Sequence, residues 1–184
     1  MAMNLVLIGL RGSGKSTVGR LLADRLNREF FDTDSIVQER AGKTIREIFE
    51  TVGEPGFREL ESAVVLECAA KTNAVIATGG GAILNPINAD ALKRSGFVAH
   101  LSAEPHVLWQ RISHDASSHA SRPKLIANAD SGIDELKQLL LSRAGAYAHA
   151  RHVEVDVEGR SPLEVAEAIL LLMRTHGISG AITV

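Results

Sequence analysis

The stretch "GLRGSGKST", residues 9 to 17, constrains this chain more than any other segment. It matches G-x-x-x-x-G-K-[ST] through Gly9, Gly14, Lys15 and Ser16, a pattern that carries chemistry only where a strand leads into it and a helix leaves it. Both neighbours qualify. "NLVLIG" (4–9) has the length and branching of a buried strand, and "KSTVGRLLADRL" (15–26) repeats Val18, Leu21, Leu22 and Leu26 at helical spacing. In that context the backbone N–H groups of Gly12, Ser13 and Gly14 turn inward around a phosphate, and the helix adds its positive end. Lys15 suits the β- and γ-phosphates, the Ser16 hydroxyl suits Mg²⁺, and Thr17 reaches phosphate oxygens. A nucleoside triphosphate ligand follows, but the loop alone does not separate a kinase from an NTPase or a switch protein.

Beyond the loop, short apolar runs alternate with longer amphipathic ones. Strands are expected at "EFFDTD" (29–34), "AVIAT" (74–78) and "FVAHL" (97–101). Helices are expected at 35–41, 44–51, 57–71, 87–95 and 104–112, with a last helix pair around "HVEVDV" (152–157). With "HVEVDV" between that last helix pair counted as the fifth, five strands separated by helices make an α/β chain with a mainly parallel sheet, because parallel neighbours require crossovers. Ligands of such sheets gather at the carboxyl ends of the strands. Gly9 to Ser16, Asp32 to Asp34 and Gly79 to Gly81 therefore share one rim. The polar interval 113–132 reads as a long surface loop of the kind that serves as a lid.

A length of 184 residues fits one domain, 1–184. Twenty basic against 22 acidic residues leave a net charge of −2, so no general basic field argues for nucleic acid or an anionic membrane. The lone Cys68 reads as a buried thiol. Glu164 and Glu167 interrupt "LEVAEAILLLM", and the N-terminal run has no basic lead, so neither is a membrane span or a signal peptide. A cytoplasmic monomer is expected.

If the chain is a kinase it needs an acceptor pocket. Asp32 and Asp34 alternate along a predicted strand end and lean to one face, Asp32 toward a water on Mg²⁺ and Asp34 toward a substrate hydroxyl. They could equally end the strand and cap the next helix at Asp34. Arg58 and Glu61 lie three apart on a helix, and a guanidinium fixed by a carboxylate suits a carboxylate ligand, although an exposed ion pair has the same spacing. The triplet in "VIATGGGAILNP" (75–86) is poor material for a strand or helix and needs a reason of its own.

Together, "GLRGSGKST", "FFDTD", "GEPGFRELE", "ATGGGAIL", "SRPKL" and "RAGAY" resemble the shikimate kinase family, a small branch of the nucleoside monophosphate kinase-like P-loop proteins, from Asn4 to Met173. The resemblance implies a three-layer α/β/α fold with a mobile lid at about 113–125. It also implies transfer of the γ-phosphate of ATP to the 3-hydroxyl of shikimate, with Mg²⁺ at Ser16 and Asp32, on the route to chorismate and aromatic amino acids. By the same similarity Asp34 holds the ring hydroxyls, Arg58 oriented by Glu61 binds the carboxylate, and Arg143 is the second carboxylate-binding arginine. Gly79, Gly80 and Gly81 lie against the substrate, so that a side chain at Gly80 or Gly81 would take up its space. Lys15 and Arg122 stabilise the moving phosphoryl group, Arg122 arriving with the lid, while Arg111 and Arg160 flank the adenine. Where the family commonly has R-P-L-L, this chain has Arg122, Pro123, Lys124 and Leu125, and its lid carries His114 and His119. Gluconate also offers a carboxylate and hydroxyls, but two arginines with Asp34 fit a rigid ring acid better. Trp109 reads as helix packing.

Overall fold

Residues 3–114 and 131–178 are described by the computed structural model. The chain runs β1 (Asn4–Ile8), α1 (Lys15–Leu26), β2 (Glu29–Asp32), α2 (Thr33–Ala41), α3 (Ile45–Ala69), β3 (Ala74–Ala77), a 3-10 turn (Ala82–Leu84) and α4 (Pro86–Ser95). It continues with β4 (Gly96–Ser102), α5 (Pro105–His114), α6 (Gly132–Ala150), β5 (Val153–Asp156) and α7 (Pro162–Thr175).

The strands form one sheet in the order β2-β3-β1-β4-β5, with every pairing parallel. Alternation along β1 explains why both faces are covered. Leu5 and Leu7 point to the side packed by α1 and α7, whereas Val6 and Ile8 point to the side packed by α3, α4 and α6. All four are fully buried, each contributing about 1.5–3 kcal/mol of transfer free energy. Two apolar layers around one sheet give the α/β/α architecture. No helix among the described residues is long and apolar enough to cross a membrane.

Several sequence expectations shift in detail. β2 stops at Asp32, and Thr33 and Asp34 already belong to α2. The cap is Asp32, whose side chain accepts from the backbone N–H of Asp34 and Ser35, rather than Asp34. The two helices expected at 44–51 and 57–71 abut as α3, broken only at Gly53, where φ is 71° and ψ is 178°. Pro55 lies just past that break, where a first helical turn tolerates a missing N–H. The expected loop 113–132 is helical at its ends, since α5 reaches His114 and α6 starts at Gly132. The remainder of the expected lid, with Arg122, Lys124 and His119, lies outside the described residues. The helix pair around 152–157 is α6 and α7, with β5 between them.

Helix α1 differs at its start from five of the other helices. Side chains of Asp32, Thr44, Asn85, Ser131 and Ser161 cap α2, α3, α4, α6 and α7. The residue before α1 is Gly14, in left-handed conformation at φ 87°, and no side chain caps that helix. Its first N–H groups are left for a ligand.

Candidate active site

The end of β1 and the start of α1 open into a cleft of about 670 Å³. Gly12 to Thr17 line it, facing Asp32 and Asp34 from β2 and α2 and Arg111 and Arg160 from the opposite wall. Lys15 is largely buried and its Nζ donates to Leu10 O at 2.8 Å and Ser13 Oγ at 3.3 Å, which folds the ammonium back over the loop. Gly12 has φ 81°, and a Cβ there would lie 2.8 Å from Leu108 O, so both conformation and space require glycine. The Ser16 hydroxyl donates to Asp32 Oδ2 at 2.5 Å while the other oxygen of Asp32 caps α2, tying loop and strand end together. Arg111 is fixed by donating from Nη2 to Val157 O at 2.9 Å. Every described residue expected at the nucleotide therefore lies on one cleft.

A second, smaller pocket adjoins the first. Ile45, Phe49, Phe57 and Leu139 give it apolar walls, and Asp34, Arg58, Glu61 and Arg143 supply charge. Arg58 donates from Nη1 to Glu61 Oε2 at 2.7 Å, and Glu54 on its solvent side accepts from Nε and Nη2 at 3.2 and 3.0 Å. Burial opposes the charge on Arg58, but Glu61 and Glu54 together hold its pKa above the ordinary value. Burial raises the carboxyl of Glu61, with Arg58 pulling the other way. Arg143 donates from Nη1 to Gly80 O at 2.9 Å, and burial lowers its pKa. The result is a pair of guanidinium groups whose positions are set before any ligand arrives.

The glycine triplet finds its reason here, although not the expected one at each position. None of the three has a left-handed φ. A Cβ on Gly79 would collide with Asp34 Oδ1 and come within 2.7 Å of Glu61 Oε1, and one on Gly81 would collide with the Arg58 guanidinium. A Cβ on Gly80 would instead meet Gly9 O at 3.4 Å and Leu10 Cα at 3.5 Å, ordinary contacts on the side of the phosphate loop. Gly80 and Gly81 both line the acceptor pocket, and it is at Gly79 and Gly81 that a missing Cβ leaves room for the charged groups.

Sequence reasoning missed five contributors. Tyr147, fully buried, donates its hydroxyl to Gly80 O at 2.8 Å, and His100 stacks on its ring at 4.3 Å between centroids. Thr33 Oγ1 accepts from Gly79 N at 3.0 Å and so joins the triplet to α2. Arg11 and Glu135 form an ion pair at 2.8 Å. A signal for two of them was present: Glu135, Leu139, Arg143 and Tyr147 repeat every four residues and are buried along one face of α6. Trp109 packs against the core, and its ring abuts Gly132. Cys68 is buried, as expected, and burial pushes its thiol up to about 11.

Comparison with known proteins agrees with this geometry. The family model described as shikimate kinase matches residues 11–174. A shikimate kinase from Symbiobacterium thermophilum is 44% identical over 178 residues, covering 97% of this chain and all of that one. Another from Burkholderia lata is 49% identical over 175 residues, covering 95% and 92%. Among solved structures, shikimate kinase from Acinetobacter baumannii in complex with shikimate superposes with a TM-score of 0.88 at 35% identity, covering 96% of this chain and 95% of that one. With a parallel five-stranded sheet, a phosphate loop, an adjoining pocket lined by Arg58 and Arg143, and full-length relatives of one kind, this chain belongs to the shikimate kinase family.

Proposed function

We propose that the chain binds ATP in the larger cleft and shikimate in the smaller pocket, and moves the γ-phosphoryl group onto the 3-hydroxyl of shikimate. The observation that carries this is the position of Asp34, buried and lining both cavities, between the phosphate loop and the two arginines. Arg58 and Arg143 hold the carboxylate of the ring acid, a task suited to planar guanidinium groups already fixed in place. Asp34 accepts the hydrogen bond of the reacting hydroxyl and orients it in line with the phosphate. Lys15 and the N–H groups of Gly12 to Ser16 neutralise the phosphates, and Thr17 adds a hydroxyl. Arg111 and Arg160 frame the base.

Ser16 and Asp32 are hard oxygen donors on the nucleotide cleft and fit Mg²⁺, an ion that keeps several waters and takes few protein ligands. Bound there, the ion would supply positive charge to offset that of the phosphates. Arg122 would complete the set from the segment 113–125, as it does by family resemblance. A monomeric working unit and a cytoplasmic setting belong to the same reading.

The experiment is a substrate panel with ADP release followed for shikimate, gluconate and nucleoside monophosphates. Turnover of shikimate far above the others is expected, and none with shikimate would overturn the assignment.

A further inference from the structure

Among the described residues, only Arg11 and Asp34 line both the nucleotide cleft and the acceptor pocket. Arg11 stands at a position of the phosphate loop where the motif asks for no particular side chain. Its side chain is 14% exposed, and Nη2 donates to Oε2 of Glu135, whose side chain is 2% exposed. A pair this buried is expensive, because removing two charges from water can cost more than their attraction returns. Its Nε–H is buried with no hydrogen-bond partner among the described residues, and an unsatisfied donor in a native fold calls for a reason. Leu10 and Leu139 beside it show that an apolar side chain would suit the same space. Stability alone does not account for an arginine at this point.

We propose that Arg11 is a further catalytic residue, its guanidinium contacting the phosphoryl group as it crosses from nucleotide to acceptor, with Glu135 as the positioning residue that aims it. The proposal rests on the shikimate kinase assignment above. In the step, the bond from the γ-phosphorus to the oxygen bridging the β-phosphate breaks and its electron pair stays on ADP. A bond forms from the acceptor hydroxyl oxygen to the same phosphorus, and the hydroxyl proton passes to Asp34. The charge on the three peripheral oxygens thereby leaves the reach of Lys15 and enters the acceptor pocket. Among the described residues, Arg11 is the cation that lines both cavities at the ends of that path.

The helix supplying Glu135 also supplies Arg143, so α6 aims one guanidinium at the moving phosphoryl group and carries another for the acceptor carboxylate. That arrangement couples acceptor placement to charge placement through one rigid element.

The test uses Arg11→Met, which removes the charge and keeps the bulk. A fall in kcat of about 10²–10³-fold is expected, as for removal of one donor to developing charge. The KM for ATP should stay within about twofold, and inhibition by shikimate 3-phosphate should weaken about tenfold. Losing Arg11 takes a cationic partner from a buried carboxylate, so the double variant Arg11→Met, Glu135→Met is measured beside it. A double variant as slow as the single one supports the proposal; a double variant restored to the unsubstituted rate overturns it by showing that the pair is only structural. Arg11→Met with unchanged kcat and unchanged product inhibition also overturns it. If the unsubstituted protein releases no ADP with shikimate, the site assignment fails too, whereas turnover unaffected by Arg11→Met removes Arg11 alone.

Discussion

The two cavities sit side by side and are built from different parts of the chain's chemistry. The nucleotide cleft is a backbone site: left-handed glycines, a helix start with no side-chain cap, and a lysine folded over them within one run of nine residues. The acceptor pocket is a side-chain site, in which Asp34, Arg58, Glu61 and Arg143 come from α2, α3 and α6 and meet only after folding. Glycine serves both, for opposite reasons. In the first loop it supplies backbone angles that other residues rarely adopt; in the second its angles are ordinary and what counts is the missing Cβ. A binding site for a universal ligand can be local, whereas selection of one acid among many draws on several elements.

The comparison breaks most visibly at Asp34, one of the two residues that line both sites. Asp34→Asn should lower kcat by about 10²–10⁴-fold, the range for a positioned acid–base group. Its ATP affinity, measured by calorimetry, should hardly move; undiminished turnover would remove Asp34 from the mechanism. Next in size is Arg58→Ala, which strands the buried Glu61 and takes away half of the carboxylate clamp. A cost of about 2–5 kcal/mol in acceptor binding is expected, read as a raised KM for shikimate with the KM for ATP unchanged. Equal effects on both substrates would show that the two cavities are not separable.

A smaller effect separates the glycines. Gly81→Ala pushes on the Arg58 guanidinium and should cost about 1–3 kcal/mol through overpacking, seen mainly as weaker acceptor binding. Gly80→Ala meets only ordinary contacts and should leave acceptor KM near that of the unsubstituted protein. The reverse order would mean that the triplet serves the phosphate loop.

The mildest prediction concerns His100, which stacks on Tyr147 on the acceptor side and feels the charge of Lys15 on the other. Burial lowers its pKa from 6.5 to about 4, so its contribution to stability is complete above about 6.5 and is lost as pH falls toward 4. His100→Phe should flatten the fall in urea midpoint over that window while leaving activity at neutral pH intact. An unchanged acid profile would show that other groups carry the pH dependence.

Legibility in the sequence follows the same division. The strand–loop–helix unit at residues 4–26, the α/β alternation and the five-stranded sheet could be read directly, because periodicity and glycine placement act over a few residues. Asp34 and Arg58 were candidates that also fitted a helix cap and a surface ion pair, and only family resemblance decided between them. Glu135 and Tyr147 stayed hidden because their partners, Arg11 and Gly80, are 124 and 67 residues away.

What the sequence determined by itself was the phosphate site, since the loop's dihedrals and the uncapped helix that follows are local consequences of Gly9 to Ser16. What only the tertiary structure decided was which charges share a pocket, which glycine must lack a Cβ, and that Arg11 stands with Asp34 between the two cavities. The physical reason is range: backbone conformation is set by neighbours in the chain, while burial and Coulomb partners are set by the packing of distant helices against one sheet.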